Sequence, residues 1–284
     1  MNEAQVKGLQ NLNSSSSVMV TAVTSGKGGV GKTNVSINLA VGLAQKGRSV
    51  VLFDADLGLA NVDVALGLKS NYDIRHVLNG ERTLEEILIP GPAGIKVIPA
   101  SSGVSGLADL STQELAGLIN TFSELSFPVD NLIVDTGAGI DSTVLSFASA
   151  CQEIVVVVCD EPSSLTDAYA LIKVLNKEKK VNRFQILANM VEDDAQGRDL
   201  FQKVSTVTDR FLVAHLGYLG HIPWDDYMKK AVQKQRAVVE LYPRSKVAVA
   251  FKQLVDQVDS FSGSQNGGGV SFNVGKLAKP DFYS

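Results

Sequence analysis

The sequence predicts one α/β domain built on a doubly wound, mostly parallel sheet with helices on both faces. Two observations point there: near-continuous Val/Ile/Leu runs recur along the chain, and helical patterns separate them. A third places the functional end of the sheet. The stretch Gly26-Lys27-Gly28-Gly29-Val30-Gly31-Lys32-Thr33 matches G-x-x-x-x-G-K-[ST] at the junction of the first apolar run and the first helical pattern.

Taken in order, strand-like runs cover 18–25, 49–54, 95–100, 131–135, 153–159, 184–190 and 216–222. Helical patterns cover 34–45, 112–125, 142–151, 163–177, 195–209, 227–235 and 245–260. Residues 1–17 read as a flexible segment, with Val6, Leu9 and Leu12 ahead of a serine run. Residues 18–261 form the P-loop domain, and 262–284 a glycine-rich linker with a short tail.

Composition sets the broad class. With 284 residues, 45% apolar and 20% charged, the chain has enough material for a sizeable core. A net charge of -4 gives no global attraction to nucleic acid. No basic-then-apolar leader stands at the N-terminus, and no apolar run approaches the ~18 residues of a membrane span, so a cytoplasmic protein is expected. Cys151 and Cys159 lack the C-x-x-C spacing of metal or redox motifs and read as packing thiols.

The phosphate loop carries the chemistry. Glycines 28, 29 and 31 let backbone N–H groups, including that of Val30, close around phosphate oxygens, and the helix that opens at Thr33 and Asn34 adds positive dipole. Lys32 is placed to reach the β/γ-phosphates, and the Thr33 hydroxyl to ligate Mg²⁺. In such sheets ligands lie beyond the carboxyl ends of the strands, where this chain puts Asp54, Asp56 and Asp135. Asp54 and Asp135 are candidates for the Mg²⁺ shell through water, and Asp56 for orienting the attacking water. Gly137 and Gly139 would let the loop after Asp135 move when the terminal phosphate leaves.

GKGGVGKT with its early lysine, DADLGLANVD from Asp54 and VDTGAGI around Asp135 resemble the deviant Walker A ATPases of the MinD/ParA class. CDEPSSLTDAYALIK from Cys159, LANM at 187–190 and AVQKQRAVVELYPRSK from Ala231 are similar to its flagellar-number-regulator branch, FleN/FlhG. The resemblance implies a MinD-like P-loop fold, ATP/ADP and Mg²⁺ as cofactors, and slow hydrolysis in an ATP-dependent homodimer. It also implies that Lys27 crosses to the partner's nucleotide while Lys32 contacts its own, so that Lys27, Lys32 and Asp56 form the catalytic set.

Asn189 ends one strand and Gly220-His221-Ile222-Pro223-Trp224-Asp225 ends another. The Asn189 amide is placed to read a purine edge, with Ile222, Pro223 and Asp225 bracketing the base and Trp224 packing in the loop. Asn189-Met190-Val191-Glu192 lacks the lysine of the guanine-reading N-K-x-D pattern, and the resemblance implies adenine.

The same branch implies partners: an SRP-type GTPase (FlhF), a σ54-dependent flagellar transcription activator, and flagellar switch-complex proteins. The basic run Lys229, Lys230, Lys234, Arg236, Arg244, Lys246 and Lys252 reads as solvated helix faces, as a protein-docking face or as the phosphate-contacting face of a DNA-segregation ATPase. The docking face is the reading the resemblance favours, and direct DNA binding is not expected. Near the N-terminus, Gln5 and Leu9 keep part of the branch's GTPase-stimulating D-Q-A-x-x-L-R element, with Ala4 and Gln10 where Asp and Arg would stand. Val270, Val274 and Leu277 give the tail a small apolar helical face interrupted by Gly275 and Pro280, and the resemblance implies peripheral contact at the inner membrane face.

Overall fold

A computed structural model describes residues 18–56, 61–100, 122 and 125–261. The expectations for 1–17, for most of the helix at 112–125, and for 262–284 lie outside the described residues.

Eight strands form one sheet: β1 (Met19–Ser25), β2 (Val50–Ala55), β3 (Ile89–Pro90), β4 (Lys96–Ile98), β5 (Asn131–Ala138), β6 (Glu153–Val158), β7 (Arg183–Val191) and β8 (His215–Pro223). Their order is β3-β4-β2-β5-β1-β6-β7-β8. Every neighbouring pair is parallel except β3 with β4. The predicted doubly wound sheet is therefore the one observed. All seven residues of β1 and all six of β2 are buried, as central parallel strands covered on both faces must be.

Helices cover the two faces. On one lie α1 (Lys32–Gln45) and the long helix that closes the described chain; Leu39 and Leu43 of α1 share a core cluster with Phe251 and Val255 there. On the other lie α5 (Ser142–Ala150), α6 (Pro162–Lys177) and α7 (Asp194–Phe211), whose Phe147, Leu171 and Val204 pack on Val134, Val156 and Ile186. Between β2 and β3 come α2 (Val62–Leu66), α3 (Ile74–Leu78) and α4 (Leu84–Ile87). After β8 come α8 (Asp226–Gln233), α9 (Val238–Leu241) and the closing helix α10 (Lys246–Phe261).

Two differences from the sequence reading matter. Asp135 does not end its strand: β5 continues to Ala138, and Asp135 sits inside the sheet opposite Val23 of β1 and Asp54 of β2. The edge strand β3 has two residues, one of them proline, which is too short for any periodicity to register.

Candidate nucleotide site

β1 leads into the phosphate loop, and the loop into α1. Gly31 caps α1 at φ 88°, a left-handed conformation, and an added Cβ would lie 2.5 Å from the Asn189 amide nitrogen. The first turn of α1 holds no acidic residue, so its positive end is free to meet an anion. At the start of the loop, Gly26 lies directly against the α6 backbone, where a Cβ would collide with the Asp167 carbonyl group.

Lys32 is buried, and desolvation lowers its ammonium pKa against the opposing pull of Asp135 and Asp56. Asp135 is fully enclosed. Its Oδ1 accepts a hydrogen bond from Ser36 Oγ at 2.8 Å, whereas its Oδ2 has no donor. Burial pushes this carboxyl up to about 6, although Thr33, Ser36 and Lys32 all favour its charged form. Asp54 is buried beside it and is pushed up to about 8, first by desolvation and then by the Asp135 charge. Backbone N–H groups oppose that shift: Asp54 accepts from Asp56 at 3.1 Å, Asn61 at 2.9 Å and Val62 at 3.0 Å.

Asp56 is less buried. Its Oδ2 accepts from Asn61 Nδ2 at 3.1 Å, and it faces the backbone of Gly137. A buried pair of repelling carboxylates and an orphaned oxygen beside a lysine and a threonine have the chemistry of a hydrated divalent-cation site. A cation there would relieve the repulsion and use the free Oδ2.

Lys27 points away from this cluster. Its ammonium is 2.5 Å from Glu161 and donates to Ser163 Oγ at 3.1 Å, both residues lying where α6 begins. The Glu161 hydrogen bond holds the Lys27 pKa up and the Glu161 carboxyl down.

The base-sized cleft lies at the ends of β7 and β8, with about 180 Å³ of space lined by Gly31, Asn34, Asn189, Ile222, Pro223 and Phe251 among others. Asn189 lines the cleft, and its Nδ2 donates to Val30 O at 2.7 Å, tying the cleft to the phosphate loop. The next residue, Met190, has φ 58° where β7 breaks register with β8. Asp225 caps two helices, accepting from Tyr227 N at 2.9 Å and Val247 N at 3.2 Å, so it holds the cleft wall together. Trp224 departs from the packing expectation: it lines the cleft and is 67% exposed.

The structure thus brings Gly28 through Asn34 and the three aspartates to one end of the sheet, with Asn189, Ile222, Pro223 and Asp225 beside them. Sequence reasoning assigned no role to Ser36, Asn61, Glu161 or Ser163. Ser36 stands four residues after Lys32, on the same helix face, which is the signal that would have found it. Asn61 and Glu161 reach the site through turns whose paths no spacing rule gives.

A family model described as the CobQ/CobB/MinD/ParA nucleotide binding domain matches residues 21–238. The antiactivator FleN of Pseudomonas aeruginosa is 54% identical over 86% of this chain and 87% of its own length. The flagellum site-determining protein YlxH of Helicobacter pylori is 38% identical over 84% and 79%. Among solved structures, the septum site-determining protein MinD of Pyrococcus horikoshii, complexed with Mg-ADP, superposes with a TM-score of 0.71 at 27% identity, covering 87% of this chain and 98% of that one. The resemblance read from the loop and aspartate motifs is borne out, and the chain belongs to the CobQ/CobB/MinD/ParA nucleotide-binding family.

Proposed function

We propose that this chain is an ATP hydrolase that works as a dimerising switch in the control of flagellar number and placement. The observation that carries the hydrolase reading is the Asp54–Asp135 pair beside Lys32 and Thr33, with Asp135 Oδ2 left for a cation's water. Mg²⁺ bound there supplies charge neutralisation across the terminal phosphates. Gly28 through Thr33 hold the phosphate oxygens by backbone N–H groups, and Lys32 adds the one buried cation of the loop. Asp56, bridged to Asn61 and set against Gly137, orients the attacking water. Asn189, Ile222 and Pro223 hold adenine.

Lys27 acts in trans. Its own-chain partners are Glu161 and Ser163 at the rim of the site, and exchanging them for a second protomer's phosphates places a cation on the transition state late, when two chains meet. Slow turnover follows, because the bound dimer is the signalling state. The flagellar assignment rests on the FleN and YlxH likeness. An SRP-type GTPase, a σ54-dependent activator and switch-complex proteins are its partners in that reading, with peripheral membrane contact.

Nucleotide-dependent dimerisation, followed by light scattering, tests it. The wild-type chain is expected to dimerise with ATP and not with ADP. Lys27→Ala should bind ADP normally and stay monomeric with ATP; a normal ATP dimer from that variant would remove Lys27 from the partner's site. Asp56→Ala should dimerise and then persist, with turnover down by about 100-fold or more, and undiminished hydrolysis would take Asp56 out of the mechanism.

A further inference from the structure

The residues from Tyr227 to Lys252 carry seven Lys/Arg against one carboxylate, Glu240, in a chain whose net charge is -4. The fold gathers several of them into one face. Lys230 of α8 and Lys234, just after it, lie over the rings of Tyr227 and Tyr242 at 4.8 and 5.8 Å from the centroids, and the two rings meet at 4.8 Å. Beside them, Lys252 of α10 donates to Pro243 O at 3.1 Å, joining that helix to the loop that carries Tyr242 and Arg244. Lys246, Val249 and Lys252 follow one another at helical spacing on the exposed side of α10, with Val249 45% exposed. Glu240 is taken by Arg236 at 2.9 Å. Among the described residues no carboxylate pairs with Lys230, Lys234, Arg244, Lys246 or Lys252. Charge of one sign, mixed with aromatic and aliphatic surface, has been left open to solvent.

We propose that this face docks an acidic, amphipathic segment of a partner protein, with carboxylates set on the free cations and aliphatic side chains set on the exposed Val249. Three observations choose that partner. The tyrosine faces are already occupied by the two lysines, so they are not open platforms for nucleobases. The patch is short: α8 spans about 12 Å by its helical rise, and the acidic pair Asp225 and Asp226 borders its first turn, where a continuing polyanion would be repelled. Neither chain end is an acidic run, since 1–17 holds Glu3 against Lys7 and 262–284 holds Lys276 and Lys279 against Asp281. The surface lies next to the base cleft, because Met228, Lys229 and Val247 of the same stretch line that cleft. Docking here is thereby exposed to nucleotide occupancy, yet the inference stands on the surface alone and survives failure of the switch reading.

The test uses the full chain and a labelled synthetic peptide of about 14 residues, roughly 20 Å as a helix, in which Asp/Glu alternate with Leu in an amphipathic pattern. Controls are the same peptide with Lys for Asp/Glu, a short duplex DNA, and phosphatidylglycerol vesicles. The acidic peptide is expected to bind, more weakly as salt rises, and Lys230→Glu with Lys234→Glu to weaken it at least about tenfold. MgATP turnover and Tm should not change in that double variant. No binding of the acidic peptide, equal binding by wild type and variant, or preference for DNA or vesicles overturns the proposal. Concentration-dependent self-association that the double variant abolishes overturns it too, in favour of a second copy of this chain.

Discussion

The two ends of the sheet treat charge in opposite ways. At the end where β2 and β5 begin, Asp259 of α10 lies 2.7 Å from Arg48 and 2.9 Å from Lys46, and Asp130 accepts from Ser49 N at 2.8 Å. Every one of these contacts joins opposite partners, and Arg48, then Lys46, holds the Asp259 carboxyl below the usual range. At the other end, Asp54 and Asp135 are buried side by side with both carboxyls pushed up. One end is arranged for the folded chain alone. The other holds carboxyls whose charged forms are disfavoured until a cation binds, which is how a site couples its affinity for a cation to proton release.

The largest expected effect breaks that contrast directly. Asp135→Asn keeps an acceptor for Ser36 and removes a buried carboxyl whose charged form is disfavoured by desolvation, so the nucleotide-free chain should gain about 1–2 kcal/mol. Turnover should fall by about 100-fold or more. Thermal melts without ligand and an ATPase assay check both halves; a loss of unliganded stability would mean that the pair is not strained.

Gly31→Ala comes next. A left-handed alanine costs about 1–3 kcal/mol, and its Cβ would press on the Asn189 amide. A fall in Tm of about 2–12 °C is expected, with weaker nucleotide binding because Asn189 loses its hold on Val30 O. An unchanged melt would show that the loop relaxes freely.

Asp259→Asn should be the mildest. These partners are partly exposed, Arg48 by 43%, so about 0.5–1 kcal/mol is at stake and the ligand-induced thermal shift should survive intact. The sign of its pH dependence is fixed. A carboxyl lowered in the folded state stabilises above its unfolded value near 4, and the stabilisation disappears as pH falls through the folded value. The gap between wild type and variant should therefore close below about pH 4; a gap that widens in acid would contradict the pairing.

Much of the architecture was legible because long buried strands advertise themselves. All seven apolar runs became strands, and α1, α5, α6, α7, α8 and α10 lie where the helical patterns put them. The misses have physical causes. α2, α3, α4 and α9 have four or five residues each, too few for a 3.6-residue period, although Thr83-Leu84-Glu85-Glu86 spells a capping box that the structure completes. The loop and aspartates could be read because phosphate chemistry constrains spacing within a few residues. Glu161, 134 positions from Lys27, could not, since only the fold brings them together.

Asp225 has a role that the sequence shows only in part. It lines the base cleft, as its place after β8 suggested, while its carboxylate oxygens accept from backbone amides of two helices, a second task that no spacing rule gives.

The contact of Gly26 with α6 has a mechanical meaning. Backbone touches backbone there, with no side chain between to absorb displacement, so the first residue of the phosphate loop is carried on the side of that helix. The same helix starts at Glu161 and Ser163, which hold Lys27. The loop therefore meets α6 at two points, one a backbone contact and one a side-chain ion pair, and a larger residue at position 26 would force the first of them apart.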